Sequence, residues 1–374
     1  MIYLDYSATT PVSDAVLESF NKVSRGYIGN SNSLHKLGVA SKRLMDQAVE
    51  QVADLLGVKA SEVIFTSGAS ESNNLAILGV IQRYPKRGKH IITTKLEHSS
   101  VLETVKYLEG LGYIIDYVDI KENGQIDMEQ FKKLLTNETV LVSIAEVASE
   151  VGILQNIREI GKILDNYPTT IFHVDGTQAI GKVPVSLDYV DLYSFSAHKF
   201  YGLKGIGCLI KKEGIELCPI IHGGKSQSVY RSVTPPLALI VSLAKALRLA
   251  LDNLDDKYKE VEKLNKFLVF ELSKNPSVII NSTVCSIPHI INISIPGIKA
   301  ETMLHALEQK DIYISTKTAC SKDSSASLSL LALNKSKEIA TSSLRISISY
   351  LTRVDELSTF ISVFNECYQS LNWR

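Results

Sequence analysis

Lys199 stands in "SFSAHKFYG", just past an apolar run, where an ammonium is costly to bury unless it is paired or neutral. Held among apolar groups and near other positive charge, such a lysine loses its proton readily and suits Schiff-base chemistry; otherwise it is a solvated strand-end residue. Asp175 closes another apolar run, "TIFHVDGTQAIG". A carboxylate there has either a cation or protonated ring nitrogen to pair with, or a following helix to cap. Gln178, three residues on, offers a neutral hydrogen-bond partner. His98 follows a further strand-like run in "TTKLEHSSV"; a lone histidine there reads as structural, and its neighbour Glu97 makes no metal motif with it. In "VIFTSGASESNN", the small residues Ser67, Gly68, Ala69 and Ser70 bring backbone N–H groups to a helix start, as a phosphate cup or as an ordinary serine cap.

Cys320 lies in the polar stretch "STKTACSKDSSAS" between Lys317 and Lys322, where exposure and positive neighbours favour the thiolate. Cys208, Cys285 and Cys367 read as core packing, and Cys218 gives no signal. The glycines of "GLKGIGCLIKK" precede a strand and do not link a strand to a helix, so a dinucleotide fingerprint fails on context. Nothing resembles HExxH, and no catalytic metal is expected.

These residues need strands to carry them. Apolar runs "EVIFTSG", "HIITT", "IIDYVD", "VLVSIAEV", "TIFHVDG" and "LYSFSA" alternate with helix-like stretches such as "ASKRLMDQAVEQVADLLG", where Leu44, Ala48, Val52 and Leu55 share one face and Gly57 is the natural stop. That alternation predicts an α/β fold with a mostly parallel central sheet flanked by helices, ligands collecting at the strands' carboxyl ends. Beyond Arg248 a long charged helix, "HIINISI", "AETMLHALEQK" and "LRISIS" predict a smaller α+β domain. The expected division is 15–255 and 256–374, with 1–14 packing onto the second part and a loop at 315–327 carrying Cys320.

The 374 residues suit two domains. Forty basic residues balance forty acidic ones, so no net field favours nucleic acid or a membrane surface. Five scattered cysteines fit a reducing compartment, and "MIYLDYSATTP" has no basic, apolar export signal, so a cytoplasmic protein is expected.

Taken in order, these motifs resemble the cysteine desulfurases, within the class V aminotransferase group of fold-type I enzymes that use pyridoxal 5′-phosphate. The similarity extends from "YLDYSATTP" through "GNSNSLHKLG", "FTSGASESNN", "HVDGTQAIGK", "SFSAHKFYGLKGIG" and "IIHGG" to "SSLRISIS". It implies that Lys199 carries the cofactor covalently, Asp175 pairs with the ring nitrogen, His98 stacks on the ring and Gln178 binds its hydroxyl. Ala69, Ser70, Ser196 and His198 would hold the phosphate, joined by Thr234 from the other subunit of a homodimer. Arg345, helped by Asn30, would clamp the carboxylate of L-cysteine, and Cys320 would receive the sulfur as a persulfide for an acceptor protein serving iron–sulfur cluster assembly or tRNA thiolation.

The chain departs from the family pattern at Ser149, where an asparagine contacting the cofactor ring is usual. It departs also in "KSQSVYRSVT", with Val233 in place of a glycine, and in "TKTAC", in place of a glycine–serine run. The long Cys320 stretch resembles the branch with an extended catalytic loop. Two other readings share the scaffold: a selenocysteine or cysteine lyase, and a degenerate cofactor-binding paralogue acting as a scaffold.

Overall fold

A computed structural model describes residues 1–224, 228–316 and 326–372. The strands, in chain order, are β1 (Ile2–Tyr3), β2 (Val63–Thr66), β3 (His90–Thr94), β4 (Ile114–Val118), β5 (Thr139–Ala145), β6 (Ile171–Asp175), β7 (Leu192–Ser196), β8 (Gly207–Lys211), β9 (Ile279–Ile280), β10 (Ile290–Ser294), β11 (Ile312–Tyr313) and β12 (Ser343–Ser347). Among the described residues a seven-stranded sheet runs β2-β8-β7-β6-β5-β3-β4. Its neighbours from β7 to β4 pair in parallel, and β8 alone runs against both its neighbours. The α/β fold with a mostly parallel sheet is as the apolar runs predicted.

Both faces of this sheet are covered, and the two-residue strand period divides its side chains between them. Ile92, Val142, Ile144, Phe172, Val174, Tyr193 and Phe195 enter one core, which contains residues of helices Asp14–Gly26, Lys36–Leu56, Ile157–Leu164 and Leu237–Leu251. Ile91, Leu141, Ile171, Leu192 and Leu209 enter the other, with residues of helices Ala69–Arg83 and Ser99–Gly110. Strands buried on both faces are continuous apolar runs for this reason. Helix Lys36–Leu56 buries Ala48 and Val52, and Leu44 and Leu55 pack beside them. It stops at Gly57, whose φ of 64° is the left-handed cap that the sequence predicted.

A separate core gathers Val261, Leu264, Leu268, Ile291, Ile293, Leu344, Ile346, Phe360 and Phe364 around the antiparallel sheet β12-β10-β9. Helix Leu237–Leu251 belongs to the first core and helix Leu254–Ser273 to this one. The N-terminal segment joins the small core. β1 pairs with β11, Leu4 donates its N–H to Tyr313 and accepts from Ser347, and its side chain is fully buried. Ala326, Leu330, Leu333 and Ala340 pack instead on the large core, although they follow β11 in the chain.

The parallel strands end together. Thr66, Thr94, Ala145, Asp175 and Ser196 close β2, β3, β5, β6 and β7, and the reversed β8 begins at the same edge. Leu4→Ala should cost about 2–5 kcal/mol. Urea unfolding measures that loss as a lower midpoint with an unchanged slope.

Candidate active site

The strand ends enclose a cavity of about 440 Å³. Its walls include Ala69, Ser70, His98, Ser149, Asp175, Gln178, Ser196, His198, Lys199 and Arg345, together with Ser7, Ala8, Thr177, Lys204 and Gly205. Most of the residues singled out from the sequence therefore meet in one place.

Lys199 ends a short 3₁₀ turn after β7, and its Nζ donates to the carbonyls of Ser7 at 2.6 Å and Ala8 at 2.9 Å. It is not a solvated strand-end lysine. Asp175 is buried and accepts from the Thr177 N–H at 3.0 Å and from Asn73 Nδ2 at 2.8 Å. It thus caps the following turn and also presents a carboxylate to the cavity. His98 caps helix Ser99–Gly110 by accepting the Ser100 N–H on Nδ1 at 3.1 Å. Burial lowers its pKa, Asp175 pulls the other way, and Lys199 lowers it again.

Helix Ala69–Arg83 opens at the cavity with Gly68 as its N-cap and no side-chain cap. A serine cap is therefore absent there, and the first-turn N–H groups after Ala69 remain for an anion. Ser196 Oγ lies beside this turn, accepting the Ala69 N–H at 3.3 Å. Burial and the charges of Lys199, Lys204 and Lys182 hold His198 down to about 4, so it is neutral at ordinary pH.

Arg345 is among the most buried large side chains of the protein. Its Nη2 donates to Asp5 Oδ1 at 2.9 Å and its Nη1 to the Ser149 carbonyl at 3.1 Å, while Nε has no partner. Ser149 makes that contact through its main chain, which its departure from asparagine leaves intact. Val233 likewise has no left-handed φ, so glycine is not required at that position.

Two residues fall elsewhere. Asn30 is exposed and its side-chain oxygen accepts the Asn32 N–H at 2.9 Å, so the structure does not bring it to the cavity. Thr234 is exposed and off the cavity of this single chain. Cys320 lies outside the described residues. Cys208 and Cys367 are buried core residues as expected, and Cys285 packs half-buried against the large core.

Chain-wide similarity agrees with this geometry. Residues 2–360 match the family model described as aminotransferase class-V. A "NifS/IcsS protein homolog" of Lactobacillus delbrueckii subsp. bulgaricus is 42% identical, with 99% of this chain and 97% of that protein aligned. "Cysteine desulfurase IscS" of Dictyoglomus turgidum is 36% identical over 99% of this chain and 95% of its own. A solved "NIFS-LIKE PROTEIN" superposes with a TM-score of 0.93 at 36% identity, covering 98% of this chain and 99% of the other. The chain belongs to the aminotransferase class-V family, in its cysteine desulfurase group.

Class-V aminotransferases of this group depend on pyridoxal 5′-phosphate, and the cavity fits that cofactor. Buried Ser7 Oγ, Thr177 Oγ1 and Arg345 Nε on its walls have no hydrogen-bond partner, so donors stand ready for an oxygen-rich ligand. Lys199, Lys204 and Arg345 supply positive charge for a phosphate and a carboxylate, with Asp175 as the buried anion for a ring cation.

Two buried groups that bond wall residues were given no role by the sequence reading. Glu97, behind His98, is pushed up to about 8 by burial, against hydrogen bonds from the Ala145 N–H and the Thr94 hydroxyl, and is a neutral acid. Lys182 is fully buried, donates to Gln178 Oε1 at 3.0 Å, and is lowered to about 7 by burial and by Lys199 and Arg345. Gln178 in turn donates Nε2 to the Ser7 carbonyl at 2.9 Å. The spacing of Gln178 and Lys182, one helical turn, was the available signal.

Lys182 sets a pH dependence. Its folded pKa of about 7 lies below the unfolded value of 10.5, so the unfolded chain binds the extra proton between them. The cost of burying Lys182 is full below pH 7 and fades as pH rises towards 10.5. Urea midpoints of the native protein should therefore rise over that window relative to Lys182→Met; parallel profiles would contradict this assignment.

Proposed function

We propose that this chain converts L-cysteine to L-alanine and passes the sulfur, as a persulfide on Cys320, to an acceptor protein. The observation that carries this reading is the convergence of Lys199, His98, Asp175 and Arg345 on one cavity in a chain of the cysteine desulfurase group.

Lys199 is assigned as the covalent anchor of the cofactor and as the base at the substrate's α-carbon. Its two carbonyl partners, Ser7 and Ala8, orient Nζ into the cavity and leave it when a stronger partner arrives. Pyridoxal phosphate, when bound, supplies an electron sink that acidifies the α-carbon. Asp175 keeps the ring nitrogen protonated, and the Gln178 Nε2 that faces Ser7 retains a second N–H for the ring oxygen. Ala69, Ser70, Ser196 and His198 hold the phosphate, and Ser149 borders the ring. His98, neutral and half-buried beside Lys199, moves protons on the other side of the substrate.

Arg345 receives the substrate carboxylate on the N–H groups that Asp5 and Ser149 leave free, a planar fork against a planar anion. The Cys320 thiolate then attacks the substrate sulfur: an S–S bond forms, the C–S bond breaks, its electron pair stays on carbon, and a proton completes alanine. Ser315 exchanges main-chain hydrogen bonds with Arg345 at 3.1 and 2.7 Å. Cys320 is five residues beyond Ser315, a tether of at most roughly 18 Å, so covalent geometry allows the attack. Thr234 is assigned to the phosphate of a second copy in a homodimer. The acceptor serves iron–sulfur cluster assembly or tRNA thiolation, and the protein acts in the cytoplasm. Among the described residues no helix is long and apolar enough to cross a membrane.

Incubation with L-cysteine and no reductant should add one sulfur atom to Cys320, read by peptide mass spectrometry. Loaded, folded protein that releases alanine yet leaves Cys320 unmodified would sink the persulfide route. Arg345→Lys keeps the charge and loses the fork, so kcat/KM should fall roughly 10- to 100-fold, mainly through KM.

A further inference from the structure

Behind the cavity, a chain of hydrogen bonds joins the two groups assigned to opposite parts of the chemistry. Asn73 is fully buried in helix Ala69–Arg83. Its Nδ2 donates one proton to Asp175 Oδ2 at 2.8 Å and the other to Ser100 Oγ at 2.9 Å. Ser100 Oγ lies 2.9 Å from His98 Nδ1, which also accepts the Ser100 N–H at 3.1 Å. The direction of every bond is determined. Asp175 is a carboxylate acceptor, so the amide must face it with nitrogen. A nitrogen that takes a backbone N–H carries no proton, so the Ser100 hydroxyl donates to Nδ1 and the imidazole proton sits on Nε2.

This arrangement leaves Asn73 Oδ1 buried without a partner. An unsatisfied buried acceptor is unfavourable, and the reverse amide orientation would set oxygen against the Asp175 carboxylate, which is worse. The site therefore tolerates an orphan oxygen to deliver one donor to the Asp175 carboxylate and one to the Ser100 hydroxyl that faces His98.

We propose that Asn73 and Ser100 are positioning residues that tie the Asp175 carboxylate to His98 and hold His98 as its neutral Nε2–H tautomer. This rests on the roles given above to Asp175 and His98. Asn73 stabilises the ionised carboxylate that faces the cofactor ring, and Ser100 fixes the imidazole so that Nε2, with its proton, is the atom left for the cavity. Burial, with Lys199 nearby, favours the same neutral form.

The test is ¹⁵N NMR of the cofactor-loaded enzyme with labelled histidine, the His98 signals identified by their loss in His98→Gln. Wild-type protein should show an unprotonated Nδ1 and a protonated Nε2. Ser100→Ala keeps the backbone donor and should fold normally, so Nδ1 should stay unprotonated while its ¹⁵N signal moves with the loss of the hydroxyl donor and cofactor retention stays within about twofold. Asn73→Ala should weaken cofactor retention roughly tenfold, the loss expected for a hydrogen bond to a charged group. A protonated Nδ1 in the wild type, or His98 shifts unmoved in both variants, overturns the proposal. Neither readout needs turnover. Persulfide formation that proceeds while these signals contradict the link removes this inference and leaves the desulfurase reading standing.

Discussion

The site depends on how its buried cations find acceptors. Lys199, Gln178 and Arg345 all reach the same short N-terminal segment: Lys199 the carbonyls of Ser7 and Ala8, Gln178 the carbonyl of Ser7, Arg345 the carboxylate of Asp5. Ser347 Oγ accepts the Ser7 N–H at 2.9 Å, and Leu4 is sunk in the small core. One strap thus neutralises positive charge contributed by the large sheet and by β12. Without it, two cations lining one cavity would lose their acceptors, a costly state for groups partly removed from water. With it, they are held in place by partners that a phosphorylated, carboxylate-bearing ligand set can replace.

The sheet supplies the second constraint. Five strand ends and the start of the reversed β8 meet at one edge, so residues far apart in sequence become neighbours. Small residues at the helix start, a carboxylate at the end of β6 and a lysine after β7 follow from that topology. Rigid strands, buried on both faces, give these side chains positions that loops alone would not maintain.

Much of this was legible from residue types. Continuous apolar runs marked β3, β5, β6 and β7 because a strand buried on both faces has no polar side to show. Gly57 marked a helix end because few other residues adopt its backbone conformation comfortably. Lys199, Asp175 and His98 were ambiguous singly, and only their order along the chain pointed to one reading. What stayed hidden was tertiary. The Asp5–Arg345 pair joins the two ends of the sequence, Asn73 meets Ser100 and Asp175 from different elements, and Lys182 is an ordinary-looking lysine until its burial is known. The cap of helix Ala69–Arg83 proved to be Gly68 and not a serine. Asn30 was assigned by resemblance, and its local turn holds it away from the cavity.

The central claim is that Lys199 Nζ carries pyridoxal phosphate. Borohydride reduction of the purified protein followed by peptide mapping tests it most directly. The account predicts a stable phosphopyridoxyl group on Lys199 and none in Lys199→Ala. A colourless protein, or a label fixed on another lysine such as Lys182 or Lys204, would contradict it.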